Sequence, residues 1–74
     1  MKNENISKTK SEERVYNAIR SYQEEHSFPP TARELMDLTG YKSASSIHDI
    51  LLRLERKGYI KRIPKSSRAI QIIK

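Results

Sequence analysis

Two glycines, Gly40 and Gly58, constrain the fold of this chain more than any other feature, because each closes a stretch with the apolar periodicity of a helix. Glycine readily adopts the left-handed backbone angles at which helices commonly end. The spacing therefore predicts a short helix, a tight turn at Gly40 and a longer helix within residues 31–58. This arrangement is typical of a helix-turn-helix, a motif whose second helix enters the major groove of DNA.

The shorter of these two helices has the most clearly marked start in the chain. Thr31 and Glu34 form a capping-box pattern, in which each side chain hydrogen-bonds to the backbone amide of the other residue. Pro30 and Leu35 occupy the two positions of a hydrophobic staple. The residues expected to form the buried side of this helix are Leu35, Met36 and Leu38.

The longer helix carries an apolar stripe at positions i, i+3, i+4 and i+7, formed by Ile47, Ile50, Leu51 and Leu54. Burying these four side chains contributes at most ~6 to 12 kcal/mol before entropic costs. Ser43 is the predicted N-cap, and Gly58 ends the helix in a Schellman-type close. Packing of the stripe fixes which side chains face outward.

An earlier helix is predicted to begin at Thr9, which forms a capping-box pattern with Glu12; Ser11 followed by two acids is a competing start. Two consecutive prolines, Pro29 and Pro30, prevent this helix from continuing. Its apolar stripe consists of Val15, Ala18, Ile19 and Tyr22.

After Gly58 the apolar periodicity changes toward two, which is typical of strands. We predict strands at residues 59–63 and 69–73, joined into a hairpin by a basic loop at residues 64–68. A two-stranded hairpin is marginal on its own, so one of its faces must lie against the helices. The residues expected to form that covered face are Ile60, Ile70 and Ile72.

Three helices followed by a hairpin make a mainly α fold, the three-helix winged helix-turn-helix, in which the loop at residues 64–68 is the wing. We expect this domain to occupy residues 9–74 and the polar residues 1–8 to form a flexible tail. A chain of 74 residues allows one such small domain, which buries only ~60% of the surface that its unfolded chain exposes.

Composition argues against several classes of function. The chain has no cysteine and two histidines, so we expect neither a disulfide nor a metal site, and no cofactor. We find no nucleophile with a base, no carboxylate dyad and no phosphate-binding glycine loop, so we expect no enzyme. No apolar run approaches a membrane span or a signal peptide, which favours a cytoplasmic, nucleoid-associated protein.

Positive charge is concentrated at the end of the chain. Residues 1–10, 11–52 and 53–74 carry net charges of +2, −3 and +7, which give the total of +6. Such asymmetry is typical of a surface that binds a polyanion. A well-solvated basic surface that keeps a small domain soluble is the alternative explanation.

Polar side chains that lie off the apolar stripe of the longer helix are candidates for base contacts. Ser45 and Ser46 present hydroxyls that both donate and accept, although serine in a first helical turn is also a common local capping group. Asp49 can accept from a cytosine amino group, and His48 can contact a base or a phosphate; an ordinary solvated surface explains both equally well. Ser43 is assigned mainly to capping, with DNA contact secondary.

The cations between residues 53 and 68 are too numerous for all of them to contact DNA. Backbone phosphates position a protein on a duplex. Lys57, Lys65 and Arg68 are the first choices for phosphate contacts, because a helix end and a wing tip project furthest. Lys42, in the turn, and Arg53 complete the predicted set, and the remaining cations are assigned to solubility.

Several short segments spread over residues 9–74 match a known pattern. They are Phe28-Pro29-Pro30-Thr31, Arg33-Glu34-Leu35, Gly40-Tyr41-Lys42-Ser43, Ser45-Ser46-Ile47-His48, the run from Leu54 to Ile60, and Ser67-Arg68-Ala69-Ile70. Together they resemble the N-terminal DNA-binding domain of the LexA repressors.

The resemblance implies a bacterial transcriptional repressor that binds double-stranded DNA. Its third helix would dock in the major groove of a palindromic operator upstream of DNA-damage (SOS) response genes, with a homodimer possible on the DNA. By position, the resemblance implies phosphate contacts for Lys57 and Arg68. The residues that match the family's base-facing surface are Ser43, Ser45, Ser46, His48 and Asp49.

The sequence also departs from that family's pattern. The self-cleaving Ser-Lys protease domain of LexA proteins is not among these residues, so we expect no self-cleavage by them. Ser27 stands where relatives often carry Gly, Ile50 where a polar residue is common, and Leu52 where a small or polar residue is common. An alternative function is that of a winged-helix protein-interaction adaptor that uses an exposed Leu52 as its contact.

Overall fold

The computed structural model describes residues 8–63 and 70–73, which contain three helices and an antiparallel two-stranded sheet. This architecture confirms the predicted mainly α winged helix-turn-helix. Residues 1–7 of the predicted tail, and the predicted wing with Lys65 and Arg68, lie outside the described residues. The elements in chain order are α1 (Lys10–His26), α2 (Ala32–Thr39), α3 (Ala44–Arg56), β1 (Ile60–Arg62) and β2 (Ile70–Ile72).

Helix α1 begins at the capping box predicted from Thr9 rather than at Ser11. The backbone N–H of Thr9 donates to Oε1 of Glu12 at 3.0 Å, and the N–H of Glu12 donates to Oγ1 of Thr9 at 3.2 Å. The helix ends at Ser27, whose φ of 69° is left-handed. Glycine favours this conformation and serine does not.

Helix α2 has the predicted start and end. The Thr31 N–H donates to Oε1 of Glu34 at 2.8 Å, the Glu34 N–H donates to Oγ1 of Thr31 at 3.1 Å, and Gly40 ends the helix at a φ of 85°. The hydrophobic side of α2 was predicted only in part. Leu35 is fully buried and Met36 packs against the core.

The prediction that Leu38 is buried is wrong, because its side chain is 53% exposed. The side of α2 that packs inward follows the positions Ala32, Leu35, Met36 and Thr39, at i, i+3, i+4 and i+7. Leu38 falls outside this stripe. Thr39 fits within it because its hydroxyl donates to the carbonyl oxygen of Leu35 at 2.6 Å.

Helix α3 has the predicted bounds, but its start lacks the predicted hydrogen bond. Ser43 occupies the N-cap position with extended backbone angles, and its side chain makes no cap hydrogen bond. The end is a Schellman motif: the Gly58 N–H donates to the Glu55 carbonyl and the Tyr59 N–H to the Leu54 carbonyl, both at 3.0 Å. Gly58 has a φ of 85°, as this motif requires.

The hairpin pairs β1 with β2 in a register that places Ile60 opposite Ile72 and Arg62 opposite Ile70. Side chains directly opposite each other share a face of the sheet, and so do alternate residues of one strand. Ile60, Arg62, Ile70 and Ile72 therefore share the face that packs on the helices. The predicted covered face is confirmed, since Ile60 and Ile70 are buried and Ile72 packs against the core.

The core is a single hydrophobic cluster to which every helix and both strands contribute. Helix α3 lies at its centre, because it contacts α1, α2 and β1. All four residues of its predicted stripe, Ile47, Ile50, Leu51 and Leu54, are buried. No helix in the described part of the chain combines the length and the apolar character needed to cross a membrane.

Candidate nucleic-acid interface

The outward face of α3 is a row of exposed side chains opposite the buried stripe. These residues follow one another at intervals of four, three and four positions, which keeps them on one side of a helix. This row, which we call the outer face, consists of Ser45, Asp49, Leu52 and Arg56. Because α1, α2 and β1 pack on the other sides of α3, this face is left accessible along the whole helix.

One flank of the outer face is connected to α1 by charge. Arg53 pairs with Asp49 one turn earlier, through its Nη2 and the carboxylate oxygen Oδ2. Its Nη1 lies 3.7 Å from Oε2 of Glu12 in α1. The hydrogen bond that Arg53 donates to Asp49, and next the negative charge of Asp49, raise the pKa of the Arg53 guanidinium. Arg53 is therefore a fixed cation held between two carboxylates.

Glu12 is a buried carboxylate beneath this flank, only 1% exposed. Its Oε1 accepts from the Lys57 ammonium at 2.6 Å, and its Oε2 has no hydrogen-bond partner among the described residues. Burial by itself raises the pKa of Glu12. The hydrogen bonds from Lys57 and the Thr9 backbone, with the charges of Lys57 and Arg53, outweigh burial and lower the pKa below its ordinary value.

The other flank of the outer face is connected to the hairpin. His48 is exposed, and its Nδ1 lies 3.3 Å from Nη2 of Arg62 in β1. The backbone N–H of Arg62 donates to Oε2 of Glu55 at 3.3 Å. His48 and Glu55 are seven positions apart and so lie on the same side of α3. Arg62 therefore runs along this flank of the helix.

The remaining predicted site residues lie around the start of α3. Ser45 is exposed, Ser46 is half-buried, and Ser43 is exposed with its hydroxyl not used as a cap. Lys42 is exposed in the turn that leads into the helix. The structure thus brings Ser43, Ser45, Ser46, His48, Asp49 and Arg53 together on one helix and Lys42 beside its start.

Lys57 is placed differently from the other predicted phosphate contacts. It is the C-cap residue of α3, and its side chain is 20% exposed because it reaches inward to Glu12. The sequence pattern suggested a helix end that projects, and the structure adds a buried partner. Any phosphate bound by Lys57 must share its ammonium with that carboxylate.

The family is decided by comparison with known proteins. The family model described as the LexA DNA-binding domain matches residues 7–69, which is most of the chain. The chain belongs to the LexA DNA-binding domain family. The three helices, β1 and the outer face described above all fall within the matched LexA segment, and β2 lies just beyond it.

Curated relatives carry the same family name. A LexA repressor of Caldicellulosiruptor saccharolyticus is 45% identical over 65 residues, which are 88% of this chain and 32% of the relative. A LexA repressor of Staphylococcus aureus is 42% identical over 65 residues, again 88% of this chain and 31% of the relative. The chain thus spans about a third of the length of these LexA repressors.

Three residues of this LexA domain were not among the predicted site residues. Glu12 was assigned only to a helix cap, and Arg56 and Arg62 only to solubility. The spacing of the sequence could have identified two of them. Arg56 continues the spacing of Ser45 and Asp49 on the outer face, and Arg62 is two residues from Ile60, so strand alternation places it on the covered face. Nothing local to Glu12 indicates its distant partner Lys57.

Proposed function

We propose that this domain binds double-stranded DNA with sequence preference and that α3 enters the major groove. The observation that carries the proposal is the outer face of α3. It remains accessible along the helix while the other sides are packed, and the major groove admits one helix. The family to which the chain belongs supports the same function.

Base contacts are assigned to the start of α3. Ser45 and Ser46 each offer a hydroxyl that donates and accepts, and Asp49 offers an acceptor for a cytosine amino group. Ser43 joins them as a second role beside its N-cap position, because its hydroxyl is not hydrogen-bonded to the helix. His48 lies on the hairpin side of the same turn.

Phosphate contacts are assigned to Lys42, Arg53 and Lys57 and, from the sequence alone, to Lys65 and Arg68 of the wing. Of these cations, Lys42, Arg53 and Lys57 lie around the base-contacting residues, as expected of groups that position a protein on a duplex. Arg53 and Lys57 are both held by Glu12, which reduces the freedom they lose on binding. Preorganised cations bind phosphate at a lower entropic cost.

We further propose that the domain acts in transcriptional repression of the LexA type, in the bacterial cytoplasm at the nucleoid. The relatives named LexA repressor support this role. Its partner would be a palindromic operator of SOS-response genes, on which two copies form a homodimer. The domain alone would bind one half-site weakly, and two copies on one palindrome would gain mainly through effective concentration.

The test is a titration of the domain against operator-like and scrambled duplexes at rising salt. Five phosphate-contacting cations predict that log affinity falls with log salt with a slope of roughly −4.5. The proposal expects this steep slope together with preference for one sequence. Absence of binding to any duplex at low salt would overturn it and would favour the adaptor function, for which the 40% exposed Leu52 is the contact.

A further inference from the structure

Arg62 is not among the residues assigned to the proposed interface. Its guanidinium nevertheless contacts the imidazole of His48, which is among them. We infer that Arg62 is a positioning residue that holds His48 with its Nε2–H directed to the duplex, so that His48 selects hydrogen-bond acceptors. This inference rests on the proposed function and deepens it by naming the base chemistry at one position.

The hairpin determines where Arg62 points. Arg62 shares the covered face of β1 and β2 with Ile60, which is 1% exposed, and with Ile70, its partner in the ladder. A side chain on this face must run along α3. The bond from the Arg62 backbone N–H to Glu55 fixes β1 over the end of the helix, and the side chain extends from there to His48.

The chemistry of arginine determines the tautomer of His48. A guanidinium has five N–H donors and no acceptor, and it stays charged in proteins. The contact of 3.3 Å between Nη2 of Arg62 and Nδ1 of His48 is a hydrogen bond only when Nδ1 presents its lone pair. A neutral imidazole with a free Nδ1 carries its proton on Nε2.

A fixed Nε2–H restricts the bases that His48 can contact. Acceptors at the edge of the major groove are N7 and O6 of guanine, N7 of adenine and O4 of thymine, whereas cytosine presents an amino donor. His48 therefore favours guanine, adenine or thymine at the position it contacts and disfavours cytosine. Asp49 next to it has the opposite preference, since a carboxylate only accepts. The two neighbours complement each other.

The tautomer is measured in the free protein by long-range nitrogen-proton correlation NMR of the His48 ring, at about pH 8 where an ordinary imidazole is neutral. The expected result is a proton on Nε2 and a hydrogen-bonded Nδ1 in the wild type, with a changed Nδ1 signal in Arg62→Ala. Lys61→Ala is the matched control, because it removes the same charge from the same strand on the opposite face. A proton on Nδ1 in the wild type, or identical spectra in the two variants, overturns the inference.

The consequence for recognition is measured on duplexes selected by the wild type from a random pool, and on the same duplexes with each base pair replaced in turn. Arg62→Ala should reduce discrimination at one base pair by roughly tenfold, and His48→Ala should reduce it at the same pair. The variant that carries both substitutions should lose no more discrimination at this base pair than either single variant does. Lys61→Ala should leave the discrimination at that base pair unchanged.

The two proposals fail in different ways. If the wild type binds every duplex equally, the proposed sequence preference is wrong whatever the spectra show. If the wild type discriminates between duplexes, and Arg62→Ala retains the same discrimination as Lys61→Ala, the proposed function stands and the role proposed for Arg62 is wrong.

Discussion

The ammonium of Lys57 lies 2.6 Å from the carboxylate oxygen Oε1 of Glu12, across 45 positions of the chain. The bond joins the first turn of α1 to the end of the helix that carries the candidate interface. The Glu12 side chain also completes the cap of α1 through Thr9. One buried carboxylate therefore contacts both the N-cap of α1 and the two cations, Arg53 and Lys57, that are proposed to bind phosphate.

Replacing Glu12 with Gln should reduce the free energy of unfolding by roughly 1–3 kcal/mol. Glutamine retains an oxygen for the Thr9 N–H but removes the charge that compensates the largely buried Lys57 ammonium. Urea unfolding followed by circular dichroism measures the loss. Glu13→Gln is the control, since Glu13 is the exposed neighbour in the same turn. Equal midpoints for the two variants would show that the buried pair adds no stability.

The same carboxylate makes stability depend on pH. The pKa of Glu12 lies below its ordinary value of 4.5, so the folded state binds this proton less readily than the unfolded state does. The stabilisation is complete above pH 4.5 and is lost as the pH falls through the lower pKa of the folded state. The difference in unfolding free energy between wild type and Glu12→Gln should therefore shrink below about pH 4.5. A constant difference down to acid unfolding contradicts this assignment.

Replacing Ser27 with Gly should stabilise the domain by about 0.5–1 kcal/mol. Ser27 ends α1 with a φ of 69°, a conformation that strains a residue with a Cβ atom. Thermal unfolding of the variant gives the measurement. Ser21→Gly makes the same chemical change at an exposed position inside α1 and should destabilise by about 0.5 kcal/mol. The prediction requires the two changes to have opposite signs.

The local features of the fold could be predicted from the sequence because each depends on residues a few positions apart. The pairs Thr9 with Glu12 and Thr31 with Glu34, and the helix end at Gly58, are of this kind. Leu38 was assigned wrongly because it was chosen for its apolar side chain, whereas the position in the inward stripe belongs to Thr39, whose hydroxyl donates to the Leu35 carbonyl oxygen.

The contacts that organise the interface could not be predicted in the same way. Glu12 with Lys57 and His48 with Arg62 are separated by 45 and 14 positions. Such contacts depend on how α3 packs on α1 and on how β1 packs on α3. The sequence identified His48 and Lys57 as candidates, but not the partners that orient them.

Base contacts and phosphate contacts should respond differently to mutation. Ser46→Ala or His48→Ala should reduce discrimination between selected and altered duplexes more than affinity for all of them. Arg68→Ala should weaken every duplex by a similar factor and reduce the salt slope by ~0.9. Binding isotherms at three salt concentrations separate the two effects. If both groups of variants lose discrimination and overall affinity to the same extent, the division of roles between α3 and the wing is wrong.

Leu52 distinguishes a role in recognition from a role in folding. It lies on the outer face of α3, 40% exposed, two positions from Ile50, which is 4% exposed. Leu52→Asn should change the free energy of unfolding by less than about 0.5 kcal/mol, whereas Ile50→Ala should cost about 2–5 kcal/mol. If α3 enters the major groove as proposed, an exposed leucine at the centre of its outer face can contact a thymine methyl group. Leu52→Asn should therefore weaken binding to selected duplexes that contain a thymine at the contacted position. Replacing that thymine with uracil, which lacks the methyl group, should weaken duplex binding by the wild type but not by the variant. Equal loss in both proteins would assign the methyl contact to another residue of α3.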